Sequence, residues 1–277
     1  MHRQHKAWWI AGGIVIVIYA LFPIAWIISL SFKAPSDIAN ASFLPTTFSG
    51  VNYSEIFTGS ASDLFLPALR NSFGICLIAT FTSCILSMFA AYAIARLDFP
   101  GKKLILSTAL VVAIFPVISI VTPLFNLWRQ IGLYDTWLGL IIPYLSLTLP
   151  ISIWTMSAFF REIPWEMEQA AQVDGATTWQ AFRRVIVPLA SPGVFTTAII
   201  AFFIAWNDFA YGISLTSTSR ARPVPAALGL FSGASQFEDP TGATAAAAVV
   251  VTVPVVVLVL IFQRRIVAGL TNGAVKG

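Results

Sequence analysis

Inside a run of otherwise apolar residues, Ala205-Trp206-Asn207-Asp208-Phe209 sets an indole, a carboxamide and a carboxylate side by side. A charged Asp at the centre of a membrane helix costs about 2.5–3.5 kcal/mol on insertion scales, and less towards either end. Its presence therefore asks for a partner or a task. In one reading Trp206, Asn207 and Asp208 line a solute path, the indole stacking on a sugar face while the polar groups take its hydroxyls. In the other they form a hydrogen-bonded cluster between helices that holds a subunit interface. Asn71, Ser72 and Asn126 are further polar residues in apolar surroundings and join the path candidates.

No catalytic set accompanies them. Gly101-Lys102-Lys103 lacks the preceding Gly spacing and the hydroxyl of a phosphate-binding loop, so the chain has no nucleotide cradle of its own. Neither a Ser-His-Asp arrangement nor a metal-ligand cluster is visible. His2 and His5 lie in the N-terminal tail and read as solvated. Cys76 and Cys84 stand eight residues apart on one expected helix, about 12 Å along its axis, too far for a disulfide, whose Cα atoms lie within roughly 7 Å. They read as packing residues. The sequons at Asn40 and Asn52 match by chance too often to carry weight. The expectation is a chain that is no enzyme and binds no cofactor or metal.

The elements that must position these residues are membrane helices. Hydrophobic residues make up 57% of the 277 positions and charged ones 10%, against about 25% charged in soluble domains. That excludes an ordinary cytosolic enzyme. A bilayer core needs roughly 20 apolar residues per helix, and six segments qualify: 8–32, 71–95, 104–128, 137–160, 194–215 and 243–262. They are too long, and too poor in alternation, for barrel strands. The reading is an all-α polytopic membrane protein with six transmembrane helices in one permease domain over 1–277. The first span outruns a signal-peptide core, and Ala39-Asn40-Ala41 falls well past its end, so it is expected to stay uncleaved.

Basic residues set the orientation. Arg3, Lys6, Arg96, Lys102, Lys103, Arg161, Arg183, Arg184, Arg264, Arg265 and Lys276 fall on one side. Lys33, Arg70, Arg129, Arg220 and Arg222 fall on the other, offset by Asp37, Glu55, Asp63, Asp135, Glu238 and Asp239. Both termini are thus expected in the cytoplasm, and the net charge of +4 reflects this bias, not a nucleic-acid surface. Loops 33–66 and 217–242 face outward and are longer than plain connections require. Pro23, Pro116, Pro123, Pro143, Pro150 and Pro254 fall inside spans, which suits either kinked helices around a pathway or the ordinary tolerance of membrane helices for Pro. Small residues in Thr241-Gly242-Ala243-Thr244-Ala245 permit close helix approach.

One cytoplasmic loop, 161–190, stands out. Pro164 opens a helix, with Glu166 and Glu168 near its positive end. Met167, Ala170 and Ala171 share a narrow face of small side chains. Asp174-Gly175 breaks that helix, and Thr177-x-x-Gln180 is a capping box that opens a second. The second helix puts Trp179, Phe182 and Ile186 on one side and Arg183 and Arg184 towards water or headgroups, and Pro188 ends it. Two readings fit: a rigid projection for a partner, or an interfacial amphipathic hairpin with none.

The spacing Gln169-Ala170-Ala171, Gly175 and Val185-Ile186-Val187-Pro188 resembles the EAA motif of ABC-importer permeases, with Gln169 in place of its Glu, and Glu168 one position earlier. The stretches 71–101 and 132–143 (GLYDTWLGLIIP), the AWNDF pentad and the tail 263–277 are similar to MalG-type permeases of carbohydrate importers, and among them to those of trehalose importers. The resemblance implies a type I ABC importer permease fold in the bacterial cytoplasmic membrane. It implies a coupling helix docked on a cytoplasmic ATPase through Glu168, Gln169, Ala170, Ala171, Asp174, Gly175, Ala176, Phe182 and Pro188. It further implies a tail (264–277) reaching that ATPase through 269–277, and loop 217–242 facing a docked sugar-binding protein. The implied partners are a second homologous permease, two ABC ATPase subunits that carry ATP and Mg, an extracytoplasmic sugar-binding protein and the lipid bilayer. The expected function is ATP-driven alternating access for a sugar, a disaccharide of the trehalose kind. The alternatives are a permease for another small solute and an ion-coupled secondary transporter, which usually carries more intramembrane ionisable residues than this one acid.

Overall fold

The structure is a computed structural model that describes residues 2–231 and 240–274, with side chains at 8–231 and 240–262. The expected tail contacts at 269–277, the side chains of Arg264 and Arg265, and Glu238 and Asp239 of the second outer loop lie outside the described residues.

Among the described residues the chain is helical, with one isolated antiparallel bridge between Lys33 and Phe48. Helix α1 spans His2–Ser31, α2 Val51–Thr58, α3 Ser62–Arg96, α4 Lys102–Ala113, α5 Val117–Ile131 and α6 Trp137–Glu162. The expected cytoplasmic loop holds α7 (Trp165–Val173), α8 (Thr178–Ala181), a π-helical turn at Phe182–Ile186 and α9 (Val187–Leu189). Then come α10 (Ser191–Trp206), α11 (Ala210–Leu215), α12 (Val224–Leu228) and α13 (Thr241–Ala274).

Four of these helices are long and apolar enough to cross a membrane alone: α1 over Trp8–Ser31, α3, α6, and α13 over Thr241–Phe262. Six spans result when two bent pairs, α4 with α5 and Thr178–Leu189 with α10, each count as one. The third expected span, 104–128, is thus not one helix: α4 and α5 meet at 88°. Pro116 has no N–H to continue α4, and it is itself extended, with ψ at 117°, as the residue that precedes α5. At 1.5 Å per residue, neither half alone reaches across about 30 Å of hydrocarbon.

The fifth expected span, 194–215, also divides: α10 stops at Trp206 and α11 resumes at Ala210. Pro188 does not end the helix before it. It sits inside α9, and the 72° bend comes two residues later, at Ala190. The expected outer loop 33–66 contains α2 and the first turn of α3.

Two compact units divide the chain. One comprises Met1–Leu69 with Ala227–Pro254. Its centre is a loop folded around a lysine: Lys33 is fully buried, and its ammonium donates to the carbonyls of Asn40 (2.6 Å) and Ser42 (2.9 Å). Burial without a partner would be costly; two carbonyls and the Trp26 ring, 5.7 Å from Nζ, offset that cost. Asp37 accepts from the backbone N–H and the hydroxyl of Thr46, both at 2.7 Å. These bonds, the Asn40 amide and the Lys33 charge hold the Asp37 carboxyl below the usual carboxylate range, against the upward push of its burial. The carboxamide of Asn52 donates to the carbonyls of Ser31 and Lys33 at the end of α1.

The other unit comprises Arg70–Ala226 with Val255–Gly277. Here α10 packs along α6, α4 also lies on α6, and α11 lies on α5. α6 runs through Pro143 and Pro150 without a break, and the Gly139 carbonyl, which Pro143 leaves without its helical N–H, accepts instead from the Trp128 indole N–H of α5 at 2.7 Å. This is how membrane helices satisfy groups next to Pro.

Candidate functional site

The segment from α7 to α9 is built by local signals. Thr177 accepts from the Gln180 N–H, and the Gln180 side chain accepts from the Thr177 N–H, a reciprocal capping box. Asp174 closes α7, and Gly175 follows at φ +87°, where a side chain is strained. At Phe182–Ile186 the helix widens to a π turn, which lets Phe182 and Ile186 both turn inward. They join Ala91, Met156, Phe160 and Ala190 in one core, while Arg183 and Arg184 stay exposed. Phe182 touches the rings of Phe89, Tyr92, Phe160 and Trp179, at centroid distances of 4.8–6.4 Å.

Glu168 turns inward, not towards a partner. It is 4% exposed and accepts from the Tyr92 hydroxyl. Its other oxygen faces Arg96 Nε at 3.9 Å, and neither of those atoms has a hydrogen bond, so charge alone couples them. The Arg96 guanidinium also donates to the Ile163 carbonyl (2.7 Å) and lies 4.9 Å over the Trp165 ring. Thus one end of α3 holds α7 by a buried carboxylate, a cation and an aromatic plate. The sequence reading names Arg96 only for its charge, and Tyr92 and Trp165 not at all. The available signal was a polar pair at i and i+4 on an apolar helix, which shares one face.

The outer side of this segment is open. Gln169, Ala170, Asp174, Gly175 and Pro188 are exposed, and Ala171 and Ala176 are half-buried. Val173 is 86% exposed at the tip, and Met167, Trp165 and Trp179 are exposed as well. Beside them a groove of about 350 Å³ runs between Ile163, Pro164 and Met167 on one wall and Leu189 and Pro192 on the other. Small side chains, an apolar tip and a groove make a surface that a protein partner can cover.

The path candidates do not come together as one lining. Asn71 is buried, and its amide donates to the carbonyls of Ser219 and Arg222 while its oxygen accepts from Trp137 Nε1. Trp137 lies so close to Gly74 that a Cβ there would stand 2.2 Å from the ring. Ser72 accepts from the Val224 N–H at 2.7 Å. Trp206 is buried between Phe73 and Phe202. Asp208 caps α11 from within the chain, accepting from the N–H groups of Gly212 (3.0 Å) and Tyr211 (3.5 Å). That capping role is neither of the two readings made from sequence. Asn207 and Asn126 are exposed; the Asn207 amide donates to the Phe203 carbonyl.

Comparison with known proteins gives these elements a family. Residues 83–272 match the model of the binding-protein-dependent transport system inner membrane component family. The chain is similar to the trehalose transport system permease protein SugB of Mycobacterium tuberculosis, at 54% identity over the whole of both chains. It is 38% identical to the sulfoquinovosyl glycerol permease SmoH of Agrobacterium fabrum, covering 95% of this chain and 91% of that one. It is 37% identical to the trehalose/maltose permease MalG of Thermococcus litoralis, covering 97% and 96%. In fold it is similar to a chain of a bacterial ABC transporter involved in the import of alginate, with a TM-score of 0.80 and 22% identity over 95% of this chain and 97% of that one. The helical architecture, the apolar spans and a family match over more than half the sequence agree, and the chain belongs to the binding-protein-dependent transport system inner membrane components, as a multi-pass permease subunit.

Proposed function

We propose that this permease moves a sugar, a disaccharide of the trehalose class, in an ABC importer whose ATPase docks on the α7–α9 segment. The observation that carries the docking is the asymmetry of that segment: an open, small-residue and apolar outer surface backed by a buried fastening to α3. Force applied to α7 passes to α3 through Glu168, Tyr92 and Arg96, and to α6 and α10 through the Phe182 and Ile186 core. Closure of an ATPase dimer would draw this body inward and reopen the cavity on the other face, a rigid-body alternating-access cycle. ATP and Mg belong to the ATPase. A second homologous permease supplies the other half of the path, and an external sugar-binding protein delivers the solute; the lipid bilayer is the remaining partner.

The sugar assignment rests on full-length similarity to a protein named for trehalose, and on further relatives named for glycosidic solutes. Asn126 and Asn207 keep exposed amides and remain the path residues of this reading. Asn71, Ser72, Trp206 and Asp208 act by positioning helices and the 217–224 loop. The test is uptake of labelled trehalose by cells carrying or lacking this gene, with competition by maltose and an unrelated solute. Loss of trehalose uptake on deletion, restored by the gene, is expected. Unchanged trehalose uptake with loss of another solute would contradict the assignment.

A further inference from the structure

A second groove lies at the same end of the unit as α7. It has a volume of about 510 Å³ and is lined by Ile94 and Ala95 at the end of α3, Lys102, Lys103, Leu106 and Ser107 at the start of α4, and Arg161 near the end of α6. Three cations and a hydroxyl therefore face one hollow. The carboxylate beside them is Asp98, a fully exposed residue 3.2 Å from Lys102, which also donates to the Leu97 carbonyl. Lys103 and Arg161 add two further charges, so positive charge is in excess. The second observation concerns α4: it buries none of its residues, and Leu104, Ile105, Val111 and Val112 are exposed along it. A basic hollow that continues into an exposed apolar helix matches an amphiphile with an anionic head and an apolar tail, not a soluble anion.

We infer that this groove binds an anionic phospholipid, its headgroup phosphate held by Lys102, Lys103, Arg161 and the Ser107 hydroxyl, and its acyl chain lying along α4. Basic pockets between helices at a membrane face recognise such headgroups. Because α4 joins the 88° bend to α5, and α3 carries the α7 fastening, the lipid would brace the hinge region from outside.

The experiment is reconstitution of the complete transport complex in nanodiscs made of phosphatidylcholine with a small fraction of phosphatidylglycerol. Phosphatidylglycerol retained after mild delipidation is then counted by mass spectrometry. Wild type should retain it, and Lys102→Gln/Lys103→Gln/Arg161→Gln should lower its affinity by on the order of a hundredfold, at about fivefold per charge. The control Arg183→Gln/Arg184→Gln, which removes two charges from residues that do not line the groove, should leave retention intact. Equal retention by the triple variant, or equal loss in the Arg183/Arg184 variant, would overturn the proposal. So would displacement by millimolar inorganic phosphate, since that describes a simple anion site. Should the triple variant fail to assemble, Arg161→Gln alone, with Arg161→Lys as its rescue, makes the same comparison at about fivefold.

Discussion

The two ends of the larger unit are fastened by different means. At one end, loop 217–224 is held backbone group by backbone group: Asn71 takes two carbonyls, Ser72 one N–H, and Asp135 the N–H groups of Ser217 and Thr218 with the Thr218 hydroxyl. At the other end α7 has no such net. It is held by one buried carboxylate, one cation and a stack of rings, and its outer surface is left free. The first arrangement fixes the shape of a loop. The second fixes a helix to its support while sparing a surface for something else, which is what a lever requires.

Breaking the single-point fastening should cost most. Glu168→Ala leaves Arg96 buried without its carboxylate, a change worth about 3–5 kcal/mol in comparable pairs, and should sharply lower the melting temperature of the purified complex. Glu168→Gln, which keeps an oxygen for the Tyr92 hydroxyl, should cost clearly less. Near-equal melting of the Ala variant and wild type would show that the pair does not hold α7.

The distributed net should fail more gently. Asn71→Ala unpairs Trp137 Nε1 and two carbonyls, and since water can reach part of that loop the expected loss is about 2 kcal/mol. Limited proteolysis should detect faster cutting within 217–224, with the α7 end unaffected. Uniform protection of both ends would undo the contrast.

Local strain comes next. Gly175→Val must adopt φ near +87°, which costs a residue with a Cβ about 1–2 kcal/mol. Nothing lies within 4 Å of the position Cβ would take, so the penalty is backbone strain at the α7–α8 turn and not a clash. Transport should fall well below wild type while membrane levels hold. Unchanged uptake would argue that the turn needs no fixed shape.

The smallest effect concerns the other unit. The Asp37 carboxyl is held below its ordinary value, so its contribution is present above the unfolded value and is lost as pH falls through the lower folded one. The Lys33 loop should therefore loosen only below about pH 4, seen as a change in Trp26 fluorescence that Asp37→Asn abolishes.

What could be read from sequence was what neighbours in sequence decide. The capping box at Thr177 and Gln180 and the turn at Gly175 each depend on three or four residues, and both appear as expected. The inward Glu168 was not legible, because its partners Tyr92 and Arg96 lie 76 and 72 positions upstream, and Glu166 on the same helix is exposed. Asn71 read as a path residue for the same reason: its partners are 148 and 151 positions away. Pro116 was visible, but its effect was not, since a Pro inside α6 leaves that helix whole while Pro116 turns the chain by 88°. The difference lies in tertiary support. α6 has an indole donor on the carbonyl that Pro143 frees and buries both of its prolines, whereas α4 buries no residue.

The most direct test of the lever is a crosslink from its tip. Val173→Cys places a thiol on the most exposed apolar residue of α7, and the two native cysteines are buried and unreactive by comparison. A short bifunctional reagent applied to the native membrane complex should join this variant to the ATPase subunit, identified by mass spectrometry. Ser219→Cys, in the loop held by Asn71, should not give that product. A Val173→Cys protein that never joins the ATPase, in a complex that still hydrolyses ATP and transports, would contradict the account.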